Sequence, residues 1–387
     1  GRGIAPENVE AALAEADLVT EMKPAHLICH YDPRKGHDAK TLEKQVELAR
    51  RIGAEPWLEA VIVSVDGFEE EVAALGRTVA DLGSPFETVM VSPAPDLKCT
   101  LPGSVWPDTP PAEALADATR KAFPGKRIGG GMFSYFTELN RKRPPTEKLD
   151  LVTFTTSSLV HAGDDRSATE AIQALPAIAK SAVAIASGKT LSVGPSAMGM
   201  RDNPYGEAPK QNPDNIRQAM NWNDPRQRGL LGAAWNLGYF ARMAYGGADA
   251  VALGAPVGPH GAIYAKAGFD QPWYDQNGGV YPVYHVLRGM AALRGRTMRE
   301  LSISRPDLVQ GLAVETDNGV EIWLANLSSE PVTLDLPLTP DGAATLDADS
   351  FVEAAASPGY LRSLAGGESG PLSLDAYAVI RLSGKPT

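Results

Sequence analysis

The chain has 387 residues, a formal net charge of −11 and 43% hydrophobic content. The acidic balance argues against a nucleic-acid partner, which wants a basic face for the phosphate backbone, and no apolar run approaches the ~18 residues of a membrane span. Two cysteines, Cys29 and Cys99, exclude a disulfide scaffold and suit a reducing cytoplasm, where we expect the protein to work.

Along the chain, short apolar runs alternate with amphipathic helical stretches. The runs are Gly3–Ala5, Ala25–Tyr31, Trp57–Ser64, Thr88–Pro93, Arg127–Phe136, Leu151–Leu159, Thr190–Ala197 and Ala250–Ala255. Eight strand-plus-helix units in roughly 250–300 residues predict an α/β fold of the (β/α)8 TIM-barrel type, whose chemistry sits on the loops after the strands. The first residue is glycine and the first strand is barely present, so we expect a longer gene product upstream. Helices are expected over Pro6–Leu18, Ala39–Ile52, Phe68–Leu82, Ala112–Phe123, Ser167–Ala186 and Arg228–Tyr245. The first of these carries Pro and Glu in its opening turn, and the second places Leu42, Val46, Ala49 and Ile52 on one face. The link between the fifth and sixth strands, TELNRKRPPTEKLD, is proline-broken, so its helix must be brief or absent. After the seventh strand comes a polar insert, Arg201–Gln227, long enough to be a lid or a substrate-binding loop. Beyond Arg294 the period drops to two, over Val309–Thr316, Gly319–Leu327, Val332–Leu338 and Ser373–Leu382, which predicts a small antiparallel β-sandwich. The expected domains are a barrel over 1–298 and a sandwich over 299–387.

The strand ends supply the candidate chemistry. The second ends in ICHYDPRKGHD, with His30, Asp32, His37 and Asp38; metal ligation is conceivable for this set, but no matching His pair follows, and we expect His30 to bind substrate and no metal or cofactor to be held. Glu59 lies inside the apolar third strand, where a carboxylate must be paired or aimed into the barrel mouth. After the fourth strand, Asp96 offers an acid or base and Lys98 a cation for developing negative charge. Cys99 would need a base nearby to act as a nucleophile, with His161 the candidate; a packed thiol is the expectation. The fifth strand contains Gly129–Gly131, which bring backbones close or leave room in the barrel, and is followed by Tyr135, Glu138 and Asn140; Ser134 breaks any GxGxxG phosphate motif. His161 follows the sixth strand, before Asp164 and Asp165, at least one of which is expected to cap the next helix. After the seventh strand, Ser196 sits where a nucleophile would, but Met198 breaks the GxSxG pattern, leaving Arg201, Asp202 and Asn203 to bind a polyol or carboxylate. The eighth strand end offers His260.

A barrel followed by a small sandwich resembles the clan of retaining glycosidases, which carry glutamates after strands four and seven. Here those places hold Asp96 within SPAPD and the carboxylate-free GPSAMGM, so the paired carboxylates of that chemistry are not where the clan keeps them. The runs SPAPDLKCTLPGSVWP, GGGMFSYFTELNRKRPP, GPSAMGMRDNPYG and NDPRQRGLLGAAWNLGYFARMAYGGADAVALGAPVGP resemble the D-apionate lactonase family across nearly the whole chain. That resemblance implies hydrolysis of a small sugar lactone, D-apionolactone, in branched-sugar catabolism, with a retaining glycoside hydrolase as the alternative. Lactone opening needs an attacking water, a stabilised oxyanion and a proton for the leaving alkoxide. From position and chemistry, the expected catalytic set is Glu138 or Glu59 as base and Asp96 or His161 as acid. Lys98 and Arg201 would face the oxyanion, and His30, Tyr135 and Asn203 the substrate hydroxyls. A third reading, a carbohydrate-binding barrel without catalysis, would line its site with Trp57, Trp106 and Trp273. The expected partner is a small-molecule sugar lactone; homo-oligomerisation stays open.

Overall fold

The computed structural model describes residues 1–336, 338–366 and 370–386. Eight parallel strands neighbour one another in chain order: β1 (Arg2–Ile4), β2 (His26–Tyr31), β3 (Glu55–Ile62), β4 (Thr88–Pro93), β5 (Arg127–Tyr135), β6 (Leu151–Thr155), β7 (Thr190–Ser196) and β8 (Ala250–Leu253). The first and last also meet. The Gly3 amide donates to the Gly254 carbonyl at 2.9 Å, and the Leu253 amide to that of Gly1 at 3.2 Å, so the sheet curls into a cylinder.

Alternation along each strand sorts side chains to two layers. Ile28, Trp57, Val61, Met90, Phe133 and Leu151 fill the inside, while Leu27, Cys29, Leu58, Val89 and Val152 join the outer layer under the helices. The glycines of β5 serve both expected purposes. A Cβ on Gly129 would meet Leu151 and Met90 side chains at 2.5 and 2.8 Å, and one on Gly131, at φ +139°, would meet the Thr153 carbonyl at 2.2 Å. At the amino-terminal end of the cylinder the His26 ring stacks on Trp57 at 4.0 Å, which removes Trp57 from the catalytic face.

The helix after β5, Phe136–Lys142, is as brief as the prolines require. The segment after β6 is broken by a 3-10 turn into Asp165–Glu170 and Leu175–Ala186. The helix Leu230–Tyr245 is buried nearly all round, as an all-apolar helix should be. One side packs on the barrel and the other on the second domain.

That second domain is antiparallel. Strands β9 (Met298–Arg299), β10 (Val309–Thr316), β11 (Gly319–Asn326), β13 (Leu338–Leu346), β14 (Ala365–Gly366) and β16 (Val379–Pro386) form one sheet. It is faced by a ribbon of β12 (Val332–Leu334) and β15 (Leu372–Leu374). Ile322, Leu324, Ile380 and Leu374 fill the space between them. The other face sends Trp323 against Gly289, where a Cβ would meet its ring at 2.3 Å. No helix of the described residues is long and apolar enough to cross a membrane.

Candidate active site

His30 and Glu59 are register partners on β2 and β3, each at an inward position near the carboxyl end of its strand. The His30 Nδ1 lies 2.8 Å from Glu59 Oε1, and the same oxygen accepts from an Arg201 Nη2 at 2.7 Å. Arg201 comes from the insert after β7 and reaches across the barrel mouth. Burial alone would raise the Glu59 carboxyl; the Arg201 charge and the His30 hydrogen bond outweigh it and hold it at about 2. Glu59 is therefore a fixed anion, too weak a base to take a proton efficiently near neutrality. Because Nδ1 is spent on Glu59, the proton-accepting position left to His30 is Nε2. That atom is buried and has no hydrogen-bond partner among the described residues.

The mouth is a cavity in two lobes. One lies over β1, β2, β7 and β8 and is lined by His30, Ser196, Arg201, Asp202, Trp222 and His260. The other, smaller and more enclosed, lies over β5, β6 and β7 and is lined by Leu97, Phe133, Ser134, Tyr135 and the hydroxyls after β6. Arg201 and Asp202 line both and stand between them. In the first lobe His260 Nε2 lies 3.0 Å from the Trp222 carbonyl. Burial, then the Arg201 charge, pushes its pKa down to about 4, so this imidazole is neutral.

The remaining expected residues have other occupations. Lys98 Nζ donates to the Asn203 and Gly206 carbonyls at 2.8 and 2.6 Å, and the Cys99 amide to the Pro204 carbonyl at 2.8 Å. Lys98 thus clamps the insert that carries Arg201. The Asn203 side chain is used within the same loop, on the Ala208 carbonyl and the Tyr205 amide. Asp96 is ion-paired to Lys142 at 2.5 Å. It lines a separate small cavity between the outer face of β4 and β5 and the helices, with Val91, Ile128 and Leu139; burial raises its pKa. Glu138 is buried and accepts from the Cys99 thiol at 3.0 Å and the Thr137 hydroxyl at 2.6 Å. Burial, then Glu138, pushes the Cys99 thiol up to about 11, a protonated group and no nucleophile. His161 is exposed at the rim, its ring 6.4 Å from that of Tyr205. The fold therefore brings together His30, Glu59 and Arg201, and keeps Asp96 and His161 away from them.

The other strand-end polar groups build local structure. Ser196 accepts from the Tyr239 hydroxyl at 3.1 Å and from Thr156, as an ordinary structural serine does. Asp32 caps the turn at Arg34, His37 Nδ1 accepts from the Asp32 amide, and Asp38 caps the helix Ala39–Arg51. Asp164 caps the helix at Asp165, as expected, and Asp165 ties Arg217 and Arg226 of the insert. Trp106 lies under the Arg141 guanidinium, and Trp273 packs on Tyr274 and Phe351, so the three expected tryptophans do not form a sugar platform. Trp222 and Ser134, both in the mouth, escaped the sequence reading. Trp222 sits in the long insert with no periodicity to orient it, and Ser134 was read only as the residue that spoils a glycine motif.

Comparison with known proteins adds a relationship. The family described as the D-apionate lactonase TIM barrel domain matches residues 1–295, and the D-apionate lactonase C-terminal immunoglobulin-like domain matches residues 306–382. A D-apionate lactonase of Brucella anthropi is 38% identical over 333 residues, 86% of this chain and 53% of that protein. The chain thus spans about half the length of that relative. Among solved structures, a GH30 endoxylanase from Clostridium papyrosolvens is similar with a TM-score of 0.57 at 11% identity, covering 99% of this chain and 95% of that one. A family 51 α-L-arabinofuranosidase from Bifidobacterium longum has a TM-score of 0.57 at 12% identity, covering 95% and 88%. At such identity the two glycosidases share the fold alone.

Proposed function

Because this chain belongs to the D-apionate lactonase family, we propose that it hydrolyses D-apionolactone to D-apionate by attack of water within the barrel mouth. The observation that carries this reading is the His30–Glu59 pair, whose imidazole keeps one buried nitrogen without a hydrogen-bond partner among the described residues, in a lobe that Arg201 also lines.

In this reading His30 Nε2 takes a proton from a water as its oxygen bonds to the lactone carbonyl carbon. The resulting imidazolium faces the fixed Glu59 anion, which orients the ring and stabilises the charge that forms, as a carboxylate does for a histidine base elsewhere. Arg201 engages Glu59 and the Pro195 carbonyl, and its remaining N–H donors are available to the carbonyl oxygen as it becomes an alkoxide. When the ring C–O bond breaks, Nε2–H returns the proton to the departing ring oxygen. One water has then been added and the imidazole is neutral again. Glu59 and Lys98 are positioning residues, the first for His30 and Arg201, the second for the insert. The glycosidase alternative receives no support from the strand-four and strand-seven positions, where Asp96 turns outward to Lys142 and Ser196 is tied to Tyr239.

The experiment is acid release from D-apionolactone in weak buffer with an indicator, run beside a panel of nitrophenyl glycosides. We expect acid from the lactone and no nitrophenol; nitrophenol without acid would overturn the reading.

A further inference from the structure

The hydrolysis just described uses the lobe over β1, β2, β7 and β8 and leaves the other lobe without a task. We propose that the second lobe is a hydroxyl-recognition subsite, in which Ser134 and Tyr135 hold sugar hydroxyls and set the preference for hydroxylated over hydroxyl-free lactones. This deepens the lactonase reading and rests on it.

β5 changes register against β6 between Met132 and Tyr135, and such a bulge re-aims the side chains that follow it. Thr155 Oγ1 pins the irregularity by donating to the Phe133 and Ser134 carbonyls at 3.2 and 3.0 Å. Two consecutive residues, Ser134 and Tyr135, then line the same lobe. Ser134 is only 4% exposed, and its hydroxyl is buried with no hydrogen-bond partner among the described residues; the Tyr135 phenol oxygen is buried and faces the Ser157 hydroxyl outside hydrogen-bond geometry. Buried polar groups are satisfied with few exceptions. Neighbouring hydroxyls show what satisfaction looks like here: Thr156, Ser196 and Tyr239 bond to one another at 2.8–3.3 Å. Two buried hydroxyls on consecutive residues of one lobe, neither in hydrogen-bond geometry with a protein partner among the described residues, point to a ligand that supplies the missing partners. The floor beneath them, Leu97 and Phe133, is apolar and suits the carbon face of a sugar ring. Arg201 lines both lobes, so a lactone whose carbonyl reaches Arg201 and His30 can extend its hydroxyls into this one.

A site built to bond a hydroxyl discriminates against the analogue that lacks it, because its own buried groups stay unpaired. The test is the ratio of kcat/KM for D-apionolactone to that for γ-butyrolactone, in the wild-type chain, Tyr135→Phe and Ser134→Ala. Folding of each variant is confirmed by circular dichroism. Each variant is expected to lower the ratio about 10-fold through a raised KM for the sugar lactone. Calorimetry of D-apionate binding reads the same subsite without turnover, and each variant is expected to weaken it about 10-fold. A ratio and an affinity within twofold of wild type in both variants overturn the proposal. If the wild-type chain opens neither lactone, the hydrolysis reading fails, and the calorimetry alone decides the subsite. Should Tyr135→Phe not fold, Ser134→Ala decides it.

Discussion

Replacing Glu59 with glutamine changes one charge at the centre of the site and little of its shape. In the native chain the carboxylate meets an Arg201 nitrogen at 2.7 Å and His30 Nδ1 at 2.8 Å. A unit charge pair at that separation interacts by about 6 kcal/mol at an effective dielectric of 20. Desolvation cancels part of this, and breaking one side of a buried pair costs about 3–5 kcal/mol. The Arg201 side chain is 24% exposed, so water can partly replace its lost partner, and the lower end, about 3 kcal/mol, applies. For a chain of this size that predicts a thermal midpoint lowered by roughly 4–5 °C. The effect on turnover is separate and larger. The Oε1 of Glu59→Gln can still accept from His30 Nδ1 and Arg201, but the neutral amide no longer offsets the imidazolium charge. We expect kcat for D-apionolactone to fall about 10²–10⁴-fold. The assay is steady-state acid release at a temperature at least 15 °C below the variant's midpoint. A folded Glu59→Gln protein with wild-type kcat would leave the His30–Glu59 pair a purely structural one.

Lys98→Met removes the two charge-assisted bonds that clamp the insert at Asn203 and Gly206, at a cost of about 2 kcal/mol; calorimetric melting should show this, with KM rising more than kcat falls. Acid should destabilise the fold through Glu59 in a defined window. Its folded carboxyl, held at about 2 against an ordinary 4.5, contributes stability that is complete above about pH 4.5 and lost as the pH falls through 2, about 3 kcal/mol in all. Urea midpoints measured between pH 6 and pH 3 should decline less in Glu59→Gln than in wild type, and parallel declines would contradict the assignment. Glu138→Gln should lower kcat by less than about 10-fold, since Glu138 holds Cys99 and Thr137. It should also speed alkylation of Cys99 by iodoacetamide at pH 8, because Glu138 helps keep that thiol protonated; unchanged labelling would show that the contact does not govern the thiol.

The barrel was legible because its strands alternate with helices on a regular period, and because parallel strands buried on both faces read as continuous apolar runs. Edges blurred where turn chemistry intrudes. The sixth run was read to Leu159 but the strand ends at Thr155. In the second domain the run Val332–Leu338 covers β12 and reaches only the first residue of β13; the rest of β13 escapes because Pro340, Asp341 and Gly342 look like a turn, and the strand carries them on a register irregularity. The run Ser373–Leu382 is two strands, split by a turn in which Tyr377 takes φ +57°. The helix Pro282–Ala292 was passed over altogether. For the site, the sequence puts His30, Glu59 and Arg201 after or within strands whose ends share one rim, with a binding role for His30 and a base role for Glu59; the mechanism proposed above assigns the base to His30 instead. Their partnership depends on β2–β3 register and on an insert crossing the mouth from β7, a sequence separation of 142 residues. The inward parity of His30 with Ile28, and of Glu59 with Trp57 and Val61, was the available signal. Asp96 could not be sorted in this way, because it lies in a 3-10 turn where strand parity has already lapsed.

If an imidazole oriented by Glu59 delivers water to a lactone in this mouth, turnover must depend on His30. Measuring kcat of the wild-type chain and of His30→Gln on D-apionolactone, with both proteins shown to be folded, reads this dependence. A loss of at least about 10²-fold is expected; equal turnover by the two proteins would remove His30 from the chemistry.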